Sequence, residues 1–152
     1  MCYNLFVQIK RGVEIMKYKI LEREVYFEKL GYCFYIEKCK DESGNEIYRL
    51  VARALHGKEE FYLFENNVFI TFTQINQTIK EFLLKRIVEH LWVHADFRNL
   101  ENIKIKQLKD GIKINDKIFE IDNDFDALYE NTTDYIIDLG EIKEYGGVLK
   151  WD

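Results

Sequence analysis

Residues 32–54 read Tyr32-Cys33-Phe34-Tyr35-Ile36-Glu37-Lys38-Cys39-Lys40, then Asp41-Glu42-Ser43-Gly44-Asn45-Glu46, then Ile47-Tyr48-Arg49-Leu50-Val51-Ala52-Arg53-Ala54. The first run is rich in aromatics and alternates in polarity, which suits a pleated strand with one buried face. The middle cluster of Asp, Ser, Gly and Asn is turn chemistry. The last run sets Ile47, Arg49, Val51 and Arg53 against Tyr48, Leu50, Ala52 and Ala54, the period-2 pattern of a half-buried strand. Two such runs about a short turn predict a β-hairpin.

The same punctuation continues on both sides. His56-Gly57-Lys58 predicts a second turn and Phe61 to Glu65 a third strand. Asn66-Asn67 predicts another turn and Val68 to Thr73 a fourth strand. Short connections of this kind favour an antiparallel meander. On the N-terminal side, Lys19 to Glu28 reads as a further strand rather than a short helix.

The period changes after Asn76, a residue suited to an N-cap. Ile79, Phe82, Leu83, Ile87 and Leu91 recur at i, i+3/i+4 and predict an amphipathic helix from about Gln77 to His94, packed on one face of the meander. Strand periodicity then returns. Ile103 and Ile105 alternate with Lys104 and Lys106, and Ile112 and Ile114 flank Lys113. Turns are expected at Lys109-Asp110-Gly111 and Asn115-Asp116, followed by a strand over Lys117 to Ile121. The isoleucines should face a core and the lysines the opposite side. Asp122 or Asn123 is expected to cap a short acidic helix reaching Glu130, and Tyr135 to Leu139 reads as a final strand. The fold class is therefore α+β: a largely antiparallel sheet of about six to eight strands against one long amphipathic helix, plus a short acidic helix.

At 152 residues the chain suits a single domain over residues 16–152 and can bury a core without disulfides or metals. Three cysteines, an odd count with no C-x-x-C spacing, argue against a disulfide framework and for a reducing, cytoplasmic setting. No apolar run approaches the ~18 residues of a membrane span. Proline is absent, while Lys, Ile, Asn, Tyr and Phe abound. A/T-rich codons account for both biases and point to a low-G/C bacterium, its phage or another mobile element. Arg11-Gly12-Val13-Glu14-Ile15-Met16 reverse-translates to a string containing AGGAG before an AUG. Met16 is thus a candidate native start, with residues 1–15 a translated leader; the other reading is a short strand from Tyr3 to Ile9.

Charge gives the most specific functional signal. Residues 118–142 hold eight acids and no Lys or Arg, whereas the rest of the chain has 22 bases against 19 acids. This asymmetry predicts a negative surface for a basic protein partner, with Asp122, Asp124, Asp126, Tyr129, Glu130, Asp134 and Asp138 as contact residues. Proteins that inhibit nucleases or host defences use such surfaces, an analogy of charge alone. The competing expectation is internal neutralisation by Lys104, Lys106, Lys113 and Lys117. Asp122-x-Asp124-x-Asp126 begins like a calcium loop, but Ala127 and Thr133 stand where that loop needs Gly and Glu, so helix capping is preferred.

Enzyme signatures are sparse. His90 and His94 are spaced i, i+4, and with Asp96 they form the one candidate metal site, for zinc or another divalent ion; it carries the alternative reading of a small metal-dependent enzyme. The Glu that zinc proteases place between such histidines is missing. Partly buried histidines satisfied by hydrogen bonds are the commoner reading, and no cofactor is expected. Cys33 and Cys39 share a strand face and read as small apolar residues. Phosphate-cradling glycine motifs are absent. The lysines of the later hairpin lack interleaved aromatics, so direct nucleic-acid binding is not expected. Trp151 is expected to pack.

Overall fold

The computed structural model describes residues 6–11, 14–66, 70–122 and 124–144, with the backbone alone for 6–11, 14–18 and 142–144. The chain divides into two compact units, residues 1–79 and 80–152. The architecture is α+β, as the periodicities predict.

The first unit is a five-stranded antiparallel meander in sequential order: β1 (Phe6–Arg11), β2 (Glu14–Lys29), β3 (Tyr32–Asp41), β4 (Glu46–Ala54) and β5 (Glu60–Asn66). The expected hairpin is β3–β4, with Tyr35 opposite Val51 and Glu37 opposite Arg49. Its turn is closed as the sequence implies: the Asn45 amide donates to Asp41 Oδ1 at 2.8 Å, and Gly44 adopts a φ of +83°. Leu30 and Gly31 both have positive φ, 52° and 81°, the handedness that matches strand twist in a two-residue hairpin. The core of this unit gathers Ile20, Phe34, Cys39, Ile47, Leu50, Val51 and Ala52. β4 departs from the expected alternation, because Leu50, Val51 and Ala52 are all buried in succession.

The expected fourth strand, Val68 to Thr73, is not a strand where it is described. Val68 and Phe69, like Asn67 before them, lie outside the described residues. Phe72 and Thr73 already belong to the helix α1 (Phe72–Phe97). A capping box sets that early start. Thr71 Oγ1 accepts from the Gln74 amide at 3.3 Å, and Gln74 Oε1 accepts from the Thr71 amide at 3.1 Å. The helix therefore begins five residues before Gln77. Its first turns bury Ile75 and Ile79, and Tyr26 of β2 stacks on Phe72 and donates to Asn76 Oδ1 at 2.6 Å.

The second unit holds the rest of α1, the small sheet β6 (Ile105–Leu108), β7 (Gly111–Ile114) and β8 (Lys117–Glu120), and the helix α2 (Phe125–Glu144). Phe82, Leu83, Ile87 and Leu91 of the expected stripe are buried, as Ile79 is in the first unit. The helix runs past His94 to Phe97 and ends in a Schellman turn. Asn99 takes the left-handed conformation, and the Leu100 and Asn99 amides donate to the carbonyls of Ala95 and Asp96. Gly111 is required where β7 approaches β8, since a β-carbon there would collide with the Phe119 carbonyl.

The C-terminal expectation needs correction. Tyr135 to Leu139 is helical, and α2 continues from Phe125 to Glu144 instead of stopping at Glu130. The cap is Asp124, whose Oδ1 accepts from the Ala127 amide at 3.0 Å, rather than Asp122; Asn123 lies outside the described residues. The aromatic and β-branched run Tyr135-Ile136-Ile137 favours a strand locally. A longer pattern overrides it: Leu128, Thr132, Ile136 and Gly140, four residues apart, are all buried. The residues beyond Glu144, Trp151 among them, lie outside the described residues.

Candidate protein-binding face

The acidic residues of α2 repeat the same four-residue interval. Asp126, Glu130, Asp134 and Asp138 are all exposed, two positions out of step with the buried row. Two positions are about 200° around a helix, so the acids lie on the side away from the packed one. The stripe covers about 18 Å of helix axis. Asp122 and Asp124 continue the exposed charge into the preceding loop, though Asp124 also caps the helix.

The small sheet holds two of the nearby lysines on the side away from α2. Its register places Ile105, Gln107, Ile112, Ile114, Lys117 and Phe119 on one face, and Lys106, Lys113 and Ile118 on the other. α2 meets the first face, where Phe119 and Tyr135 make an edge-to-face pair at 5.4 Å. Gln107 on that same face donates to the Glu81 carbonyl of α1 at 3.2 Å. Lys106 and Lys113 therefore project from the back of the sheet, where Ile118 is 53 % exposed. The expected segregation of isoleucines from lysines holds in β6 and β7 but is reversed in β8, where Lys117 shares the isoleucine face and Ile118 the lysine face. No ion pair among the described residues joins Glu130, Asp134 or Asp138 to these lysines. Lys80 pairs with Asp110, whose carboxyl is held below its ordinary range by the Lys80 hydrogen bond.

His90 and His94 do come together, their rings 4.4 Å apart on α1. Each is already engaged. His90 Nε2 shares a 2.8 Å hydrogen bond with the Tyr129 hydroxyl, over whose ring it stacks, and His94 Nδ1 accepts from Arg98 at 2.9 Å. A guanidinium against Nδ1 is a poor neighbour for a metal cation. Asp96 is exposed, and no group of three or more His, Cys, Asp or Glu that could hold a metal ion occurs among the described residues. His90, His94 and Asp96 thus do not converge as a ligand set. Burial and the neighbouring His94 lower the His90 pKa. Tyr129, expected as a surface anchor, is instead half-buried against His90.

No protein-family model, curated protein or solved structure matches the chain. Among the described residues no helix is long and apolar enough to cross a membrane.

In the first unit the buried polar residues form one cluster. Glu37 and Arg49 have fully buried side chains and are joined at 3.0 Å. Arg23 donates to the second Glu37 oxygen at 2.6 Å and to Glu60 at 3.1 Å. The rings of Tyr35 and Tyr62 lie under Arg23 and Arg49, at 5.0 and 4.6 Å. Burial pushes the Cys39 thiol up to about 11 and the Tyr62 phenol up to about 12. That burial disfavours the thiolate, the reactive form of the group. The hairpin turn held the signal for this pairing, because closing β3 on β4 across Asp41–Asn45 sets Glu37 opposite Arg49.

Proposed function

We propose that this protein acts by binding a basic protein through the acidic face of α2, in the manner of a small inhibitor or immunity protein working in the cytoplasm. One observation carries the reading: Glu130, Asp134 and Asp138 are exposed in a row, while Lys106 and Lys113 project from the far side of the small sheet. A row of exposed carboxylates raises the local concentration of a cationic partner and selects its orientation. Among the described residues His90, His94 and Asp96 do not converge as a ligand set, so the metal-enzyme alternative draws no support from them.

The test is capture from the native host at low salt, with the wild type compared against Glu130→Gln, Asp134→Asn and Asp138→Asn combined. These positions are exposed, so the variant should keep its circular dichroism and thermal midpoint. Loss of a basic binding protein in the variant, and in the wild type as salt rises to about 0.5 M, is expected. Capture indifferent to both changes overturns the reading.

A further inference from the structure

The acidic face is not uniform along α2. Between that helix and β8 an open cleft of about 310 Å³ is lined by Lys117, Phe119, Asn131, Asp134, Tyr135 and Asp138. Phe119 and Tyr135 form its aromatic wall, edge to face at 5.4 Å. The Lys117 ammonium stands 5.0 Å from the centroid of each ring. This is the distance at which a cation is held by the ring quadrupole. The cleft therefore already accommodates a cation, and that cation belongs to the chain itself. Lys117 is exposed on a flexible stem, and it makes no ion pair with Asp134 or Asp138 among the described residues. Both carboxylates remain open to a ligand that also covers the rings.

Resting on the acidic-face reading above, we propose that this cleft is the socket for an arginine side chain of the basic partner, and that Lys117 is the intramolecular cation it displaces. A guanidinium fits both halves of the cleft. It is planar, so it can lie flat on one of the two rings with the other at its edge, and its forked donors match the carboxylates of Asp134 and Asp138, one helical turn apart. The Asn131 amide offers a further acceptor. An ammonium can use the rings or one carboxylate but lacks the fork. Two carboxylates against Lys117 leave the cleft with a net negative charge, which the incoming guanidinium neutralises.

The test uses the full chain, labelled for NMR of amides and aromatic rings, titrated at low salt with Nα-acetyl-arginine amide and with its lysine counterpart. Saturable shifts centred on Phe119 and Tyr135 are expected, tighter for arginine than for lysine. Asp134→Asn with Asp138→Asn should abolish saturation. Tyr135→Leu leaves the charge unchanged and should weaken arginine binding about threefold to fivefold. Lys117→Met, a surface change that does not depend on repacking, should tighten it by a similar factor. Ring resonances that stay still, or a Tyr135→Leu variant that folds and binds as the wild type does, would overturn the socket. An oligo-arginine peptide separates the two proposals. If it binds along Glu130 and Asp126 without moving the rings, the face stands and the socket falls. If it does not bind at all, both fall.

Discussion

Glu37 on β3 and Arg49 on β4 face each other directly across the hairpin, joined at 3.0 Å with neither side chain reaching solvent. Arg23 from β2 takes the other Glu37 oxygen, so one carboxylate ties three strands. Burying this charge cluster costs desolvation that the pairing offsets only while it is complete. Glu37→Gln alone should destabilise the protein by about 3–5 kcal/mol, because it leaves the buried Arg49 uncompensated, whereas Arg49→Met should cost less, because Glu37 keeps Arg23. Replacing Arg23, Glu37 and Arg49 together with apolar residues of similar volume should cost far less than Glu37→Gln. Urea unfolding of the single and triple variants checks these statements. A triple variant as unstable as Glu37→Gln would show that the pairing itself stabilises the sheet.

His90 makes stability depend on pH. Its folded-state pKa lies below the ordinary 6.5, through burial first and then through His94. The unfolded chain therefore binds the proton more readily than the folded one. The stabilisation is fully present above the unfolded value and is lost as pH falls through the folded value. The urea midpoint should fall between pH 7.5 and pH 5.5, above the range in which carboxylates titrate. His90→Gln, which keeps a polar group near the Tyr129 hydroxyl, should flatten that slope. An unchanged slope would assign the pH dependence to other groups.

The two helix caps separate charge from structure on the acidic segment. Thr71→Ala and Asp124→Ala should each cost about 1 kcal/mol, since each removes a side-chain acceptor from a helix N-terminus. Asp124→Asn should cost little, because Asn caps nearly as well. Asp122 and Asp124 can thus be changed together to Asn, removing two charges with the cap in place. A thermal midpoint preserved in that variant and lowered in Asp124→Ala confirms the division.

Most of the element types were legible from local pattern. The β3–β4 hairpin, the buried stripe of α1 and the isoleucine and lysine faces of the small sheet all follow periods of 2 or 3.6 that a side chain's direction imposes. The errors have identifiable causes. Phe72 and Thr73 look like strand residues until Thr71 and Gln74 are read as a capping box. Tyr135 to Leu139 looks like a strand because its β-branched and aromatic residues outweigh a periodicity visible only over four turns. That periodicity was present in the acids themselves, at 126, 130, 134 and 138, and reading it would have given both the helix and its exposed face.

The chain's charge asymmetry, its α+β class and the segregation of its small-sheet residues are determined by the sequence alone, because they depend on composition and on contacts between near neighbours. Tertiary structure decided what distant groups do to each other. It placed the small sheet between the α2 acids and Lys106 and Lys113, turned Tyr129 onto His90, and brought Lys117 over the Phe119 and Tyr135 rings. It also buried Arg49 in a strand that alternates as if half exposed. Each outcome depends on which faces meet, and a single strand's alternation gives two faces without saying which one, or both, will be covered.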